Sequence, residues 1–223
     1  MADYQNIYLT RPDQSLSQSV NQQLSDFGCQ LGLDNAICGV PRVAYTQISD
    51  DTDNAAPINA HDFSGCISIG DNCYIESTCS PAFHSQAVKM TSVKRNQYPA
   101  GKITIGNHVQ LQGTAILAYE QVTVQDNVIF GPMVTIMDCS GHTLTQRGQA
   151  GEIAALTTAP VTIKAHAWIG ANVMILKGVT IGEHAVVGAG SVVYQDIPDH
   201  CVALGNPAKV VKDIHPEQLK AVS

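Results

Sequence analysis

Charged and aromatic side chains are the scarce ingredients of this 223-residue chain, at 14% and 5% of its residues, with a single tryptophan. Globular domains carry about 25% charged residues, so any surface here has few ionic groups. Basic residues are the rarer sign, 12 against 19 acidic, and the net charge of −7 excludes the cationic surface that non-specific nucleic-acid binding needs. No run approaches the ~20 apolar residues of a membrane-spanning helix. The opening MADYQNIYLTRPDQ lacks the basic-then-apolar pattern of a secretory leader. The seven cysteines are odd in number and form no C-x-x-C pair. They argue against a disulfide framework or a Cys-rich zinc site, and predict reduced, mostly buried thiols in a cytoplasmic protein.

What is present is Val and Ile, with 18 glycines, a mixture that favours strands broken by frequent turns. The apolar residues recur with a period of six. From position 163 the chain divides into IKAHAW, IGANVM, ILKGVT, IGEHAV, VGAGSV and VYQDIP. The first position is always Ile or Val (Ile163, Ile169, Ile175, Ile181, Val187, Val193), and the fifth is small or β-branched (Ala167, Val173, Val179, Ala185, Ser191, Ile197). Neither a helix, near 3.6, nor a simple strand, at 2, has this period. It belongs to hexapeptide-repeat β-helices. Three hexapeptides make one triangular coil, with first and fifth residues pointing inward and Gly170, Gly178, Gly182, Gly188 and Gly190 relieving the turns. Aromatic residues are expected not to fit inside.

The phase recurs earlier as FSGCIS, IGDNCY and IESTCS over 63–80, placing Cys73 and Cys79 inward, and as IGNHVQ, LQGTAI and LAYEQVT over 105–123. VQDNVI and FGPMVT follow, and Ile136 opens a damaged repeat, IMDCSGH. The reading is therefore an all-β chain: an N-terminal segment over 1–62, a β-helix over 63–198 interrupted by loops at 81–102 and 143–160, and a closing segment over 199–223. Leu16, Val20, Leu24 and Phe27 form a helical stripe with a Ser15/Gln18 capping box and a Gly28 stop. Leu33 and Ile37 hint at one irregular coil before residue 63. HPEQLKAVS reads as a short tail helix.

The block from Pro160 to Lys212, with A-W-I-G-A-N, V-V-G-A-G-S-V-V and G-N-P-A-K, resembles the hexapeptide-repeat acetyltransferases. Within that superfamily it is most similar to the galactoside, maltose and polysaccharide O-acetyltransferases, with the chloramphenicol and streptogramin enzymes as relatives. The resemblance spans about residues 103–212. It implies a left-handed parallel β-helix, acetyl-CoA as co-substrate, and a homotrimer with active sites between subunits.

His142 is the catalytic candidate. It falls where another aliphatic repeat position would follow Val124, Phe130 and Ile136, just before a long loop. By resemblance, Asp138-Cys-Ser-Gly-His142 matches the place of the family's essential histidine. A sugar hydroxyl attacks a thioester only as a base removes its proton, and imidazole suits that task near neutral pH. Asp138 is the candidate to orient the imidazole. Cys139 invites an acyl-enzyme reading, but nothing beside it in sequence marks it as activated. His108, His166 and His184, fourth in their hexapeptides, read as surface residues. The closely spaced histidine pair of the γ-class carbonic anhydrases, which share the coil, is absent, and no metal is expected.

By resemblance, the pantetheine arm of acetyl-CoA runs along the coil edge near Ala171 and Ala189, Lys209 and Lys212 face its phosphates, and Trp168 lines the cleft. Packing between subunits is an equally good account of Trp168. Tyr194-Gln195 stands where the family often has Thr-Lys, which removes one expected cation. Lys89, Lys94 and Arg95 gather in the first loop without an acidic residue, a candidate surface for an anionic acceptor or partner, or simply a solvated loop. The second loop is expected to arch beside His142 and shape the acceptor pocket, and Gln110 or Gln112 is a candidate acceptor-side amide. The resemblance points first to an acetyl-CoA-dependent O-acetyltransferase acting on a sugar or glycan precursor. The alternatives are N-acetylation of an amino sugar or xenobiotic and, behind it, a non-catalytic β-helix that binds or scaffolds.

Overall fold

In the computed structural model, residues 2–8, 19–50, 56–78, 85–215 and 217 are described. Their strands stack into three sheets of seven, six and eight members, which form the faces of a left-handed parallel β-helix. The seven-stranded sheet is face A, the six-stranded face B and the eight-stranded face C. Each coil runs through face B, then C, then A. One coil is Lys102–Ile105, Gln110–Gln112 and Ala115–Ala118, and the next is Gln121–Val124, Ile129–Phe130 and Thr135–Met137. After the second loop the coil resumes with Val161–Ile163, Trp168–Ile169 and Met174–Ile175.

The six-residue phase gives the inside of this prism. Ile163, Ile169, Ile175, Ile181, Val187 and Val193 are all buried, as are Ala167, Val173, Val179, Ala185, Ser191 and Ile197. Like residues stack in register, for example Ile136 on Ile175 and Ile163 on Ile181. Coils approach so closely at one corner that a Cβ on Gly182 would sit 2.3 Å from the backbone nitrogen of Asp199. Between Ile105 and Ile136 the phase shifts at two successive corners: Leu111 to Ile116 is five residues, because the corner at Gly113–Thr114 is one short, and Ile116 to Val124 is eight. Ile116 and Ala118 therefore point inward, and Leu117 faces out.

The coil begins earlier than residue 63. Gln30–Leu31, Ala36–Cys38 and Arg42–Ser49 pair in parallel with Ile67–Ile69, Tyr74–Glu76 and Lys89–Arg95, completing one coil in which Leu31, Ile37 and Val43 keep the six-residue spacing and meet Ile69, Ile75 and Met90, whereas Leu33 is exposed. The first interruption is also narrower than 81–102, because Lys89–Arg95 is a strand of face A between Arg42–Ser49 and Ala115–Ala118. A helix, α1 (Val20–Asp26), lies beside the mouth of the prism, and Leu24 is fully buried. Its N-cap is Ser19, whose hydroxyl accepts the Gln22 N–H, and Gly28 ends it at φ +96°. The expected Ser15/Gln18 cap and Leu16 lie outside the described residues, as do Cys79 and nearly all of the expected tail helix.

Aromatic rings do enter the core, contrary to the expectation from composition. Phe27, Tyr45 and Phe63 stack with centroids 4.6 and 4.8 Å apart, and Phe130 is fully buried in mid-coil. At the mouth no coil stacks above, so there is room for rings. An antiparallel strand covers one edge of face A, where Asp3–Tyr8 pairs with Arg42–Ser49, and another covers one edge of face C, where Lys209–Asp213 pairs with Cys201–Leu204. An uncovered strand edge can template aggregation.

The histidines of the B–C corner are more than scattered surface groups. His166, His184 and His200 each take left-handed backbone (φ +62°, +54° and +57°), and their rings stack along the prism with centroids 4.5 and 5.2 Å apart. Partial burial, with the neighbouring rings, lowers the pKa of His184. The six described cysteines are free, and five of them are buried.

Candidate active site

The site is built where the chain leaves the coil. Thr135–Met137 crosses face A, and Asp138 then turns into the second loop, which closes on itself through a bridge between Cys139 and Thr158. Asp138 is wholly buried and does not hold His142. Its carboxylate accepts backbone N–H groups from Tyr119 (2.8 Å), Glu120 (2.7 Å) and Gln121 (2.8 Å), tying the corner of the preceding coil to this one. Burial raises its pKa, against these three donors, which favour the carboxylate. The expected orienting role is thus replaced by a structural one, because both carboxylate oxygens are taken by the neighbouring turn.

The imidazole of His142 has a different partner. Its Nδ1 lies 3.1 Å from Oε1 of Glu152, a residue ten positions on that sequence reasoning missed. The His142 side chain is 61% exposed, whereas that of Glu152 is 7% exposed. Glu152 also accepts the backbone N–H of Gly148 (2.6 Å) and of Thr143 (3.0 Å). These donors, that of Gly148 first, hold its carboxyl below the usual range, so it is ionised near neutral pH. An ionised acceptor at Nδ1 selects the tautomer with the proton there and leaves the Nε2 lone pair free. The one sequence signal was a lone acidic residue in a loop otherwise poor in charge.

Glu152 opens α2 (Glu152–Ala155), a single turn clamped at both ends. Asp50 accepts the N–H groups of Ile153 (3.0 Å) and Ala154 (2.7 Å). Arg95 donates to the carbonyl of Leu156 (2.7 Å) while lying 4.2 Å from the Tyr98 ring centroid. Ile153 and Leu156 pack with Ile48, Val93 and Cys139 in a small core separate from the one inside the prism. Cys139 belongs to that core. Burial raises its thiol pKa, outweighing the Gly141 N–H that its sulfur accepts at 3.3 Å, so the thiol is not an activated nucleophile.

The first-loop cations Lys94 and Arg95 are engaged rather than free. Lys94 pairs with Asp62, and Arg95 holds α2. Beside Arg95 lies an open cavity of about 510 Å³ whose lining includes Tyr98, Lys102, Tyr119, Glu120 and Thr158.

The residues expected to meet acetyl-CoA lie at the other edge of face A. Ala171 and Ala189 share the C–A corner, where a Cβ on Gly170 would stand 2.6 Å from the nitrogen of Ala189. Lys209 and Lys212 are exposed on the last strand, and the turn before it docks on face A through a hydrogen bond from the Ala208 N–H to the Val192 carbonyl (2.8 Å). Trp168 is 55% exposed on face C, beside the exposed Ile129. From Met133 at the C–A corner to Asp138 the chain crosses face A, about 16 Å at ~3.3 Å per residue. Within the chain the His142 site and the Ala171/Ala189 edge are therefore brought to one face but not into contact. Among the described residues no three His, Cys, Asp or Glu side chains converge as a metal site, and no helix is long and apolar enough to cross a membrane.

Comparison with known proteins agrees with this architecture. Residues 160–195 match the bacterial transferase hexapeptide (six repeats) family. Galactoside O-acetyltransferase of Escherichia coli K12 is 34% identical over 148 residues, covering 66% of this chain and 64% of the relative. The enzyme of the same name from Lactococcus lactis is 35% identical over 156 residues, 68% of this chain and 65% of the relative. The chain thus spans slightly less than two thirds of the length of these relatives. Among solved structures, a point mutant of AntD, an N-acyltransferase from Bacillus cereus in complex with dTDP and coenzyme A, superposes with a TM-score of 0.61 at 21% identity, covering 90% of this chain and 91% of that one. At that identity it attests the fold alone.

Proposed function

This chain belongs to the hexapeptide-repeat transferase family, and from that premise we propose that it moves an acetyl group from acetyl-CoA to a hydroxyl of a sugar or glycan precursor, with His142 as general base. The observation that carries the reading is an exposed imidazole whose Nδ1 is held by the buried Glu152 carboxylate. In this mechanism Nε2 of His142 takes the proton of the acceptor hydroxyl as its oxygen attacks the thioester carbonyl. The imidazolium is stabilised by Glu152, as in other carboxylate–histidine pairs. Collapse of the tetrahedral intermediate breaks the C–S bond, and the imidazolium returns the proton to the departing CoA thiolate. Asp138 takes no part in proton transfer.

Acetyl-CoA is assigned to the edge near Ala171 and Ala189, where small side chains admit a close backbone approach, with Lys209 and Lys212 facing its phosphates and Trp168 along the cleft. Because that edge and His142 stand a strand apart, the complete site is assigned to the junction of two protomers in a homotrimer. The O-acetyl reading is favoured over N-acetylation by the galactoside O-acetyltransferase relatives at 34% and 35% identity. The test follows CoA release from acetyl-CoA across sugar acceptors. His142→Ala should lower turnover at least ~10²-fold while acetyl-CoA still raises the melting temperature, since ligand bound to the folded state stabilises it. Near-normal turnover in His142→Ala would refute the base assignment, and no thermal shift at millimolar acetyl-CoA would refute the transferase reading.

A further inference from the structure

The second loop holds the base only if α2 is held, and a helix of one turn has no stability of its own in water. Its apolar contacts, Ile153 and Leu156, fix how deep it sits but not how it is rotated about its axis. Rotation is set by directional bonds: beside the local ones from Thr143 and Gly148 to the Glu152 carboxylate, those on the helix backbone come from far away in sequence. Asp50, at the end of the face A strand Arg42–Ser49, accepts from both Ile153 and Ala154, the two residues directly after Glu152. Asp50 is itself fixed by a reciprocal pair with Asn96, which follows the neighbouring strand Lys89–Arg95. The Asp50 N–H donates to Asn96 Oδ1 (3.0 Å), and Asn96 Nδ2 donates to Asp50 Oδ2 (3.2 Å). Asn96 sits in left-handed backbone at φ +46°, a conformation Asn tolerates better than most residues.

We propose that Asp50 and Asn96 are positioning residues for the acetyl transfer: they fix the rotation of α2 and through it hold the Glu152 carboxylate on Nδ1 of His142. Partial burial tends to raise the Asp50 carboxyl, but the hydrogen bonds from Ile153, Asn96 and Ala154 outweigh it and keep the group ionised. The two long strands of face A that overrun the coil thus serve the site. They end in the pair that anchors the loop.

The inference rests on the His142–Glu152 reading, and its test is separable from that reading. The protein is labelled with ¹⁵N-histidine, and the ring signals of His142 are assigned by their loss in His142→Ala. In the wild type at pH 8 they should show one tautomer, protonated at Nδ1, and Glu152→Gln should move them towards a tautomer mixture. Asp50→Ala is expected to move them in the same direction, and Asn96→Ala by a smaller amount. In turnover Asp50→Ala should lower kcat about 10- to 100-fold, the scale of an ångström-level misplacement, with KM for acetyl-CoA changed less than about threefold. Asp50→Asn, which keeps one acceptor oxygen, should recover part of kcat and covers the case in which Asp50→Ala fails to fold. His142 signals unchanged from wild type in folded Asp50→Ala or Asp50→Asn, together with unchanged Asn96→Ala, would overturn the inference whatever the activity. Full turnover in His142→Ala would instead overturn the base assignment, while the tautomer shift in the Asp50 variants would still report whether Asp50 orients the ring.

Discussion

Replacing Asp138 with Ala separates a structural carboxylate from a catalytic one. The side chain has no solvent exposure, and its oxygens satisfy three backbone N–H groups at 2.7–2.8 Å. Each N–H left without a partner costs about 1–3 kcal/mol. Tyr119 is half buried and Glu120 and Gln121 are exposed, so water can reach part of this turn and the low end applies, about 3 kcal/mol for the three. Removing a carboxylate that burial disfavours returns a fraction of that, and the lost side-chain contacts take it away again, leaving a net loss of about 2–4 kcal/mol. For a chain of this size a loss of about 1 kcal/mol lowers Tm by about 2–4 °C, so Asp138→Ala should melt about 5–15 °C below the wild type. Asp138→Asn, which keeps one acceptor but turns an amide N–H₂ towards a donor, should fall between the two. Denaturant titration gives the free energy and calorimetry the Tm. The CoA-release assay on the folded fraction at low temperature should show turnover within a few-fold of wild type. A loss below about 1 kcal/mol would refute the account of the turn. Wild-type stability with a ~10²-fold fall in turnover would return Asp138 to the reaction.

Acid should release the second loop before the coil unfolds. Glu152 and Asp50 both titrate below their ordinary values of 4.5 and 3.8. A lowered folded pKa means that the stabilisation is present above those ordinary values and disappears as pH falls through the lower folded values. Hydrogen exchange or limited proteolysis over residues 143–156 should therefore accelerate only as the pH is taken below these ordinary values, while the inward positions of the coil stay protected; protection unchanged from neutral pH down to acid unfolding of the coil would contradict this. Gly182→Ala adds a Cβ within 2.3–2.5 Å of the Pro198–Asp199 backbone, which cannot yield as a side-chain tip would. It should cost about 1–3 kcal/mol, read from the denaturant midpoint, and an unchanged midpoint would show that the last coils have slack.

The architecture was legible in the chain because a solenoid writes its geometry locally. Ile163 and its successors at intervals of six each contact their own equivalents one coil away, so one periodic pattern states both the strand and its packing. The same locality explains the scarcity of ionic groups, since stacked coils leave few outward positions. Where the pattern weakens, reading from sequence failed in specific ways. The first coil, from Gln30 to Ser49, keeps the six-residue spacing only at Leu31, Ile37 and Val43, with Asn35 and Pro41 in its fifth positions, so its repeat was too short and too irregular to stand out. The corner at Gly113–Thr114 dropped a residue and turned Leu117 outward.

His142 stood out from its place before a loop and from its resemblance to a family motif, both visible in one dimension. Its partner was a matter for the tertiary structure alone. Asp138 was the nearer carboxylate in sequence, but the turn at Tyr119–Gln121 claims both of its oxygens, and Glu152 reaches the imidazole by folding back through a turn it ties itself. Asp50 and Asn96 join that site from strands about a hundred and about fifty residues away. Repetition along a chain is a short-range property and shows in the order of residues. The assignment of one buried acceptor among several competing donors is decided by geometry in three dimensions.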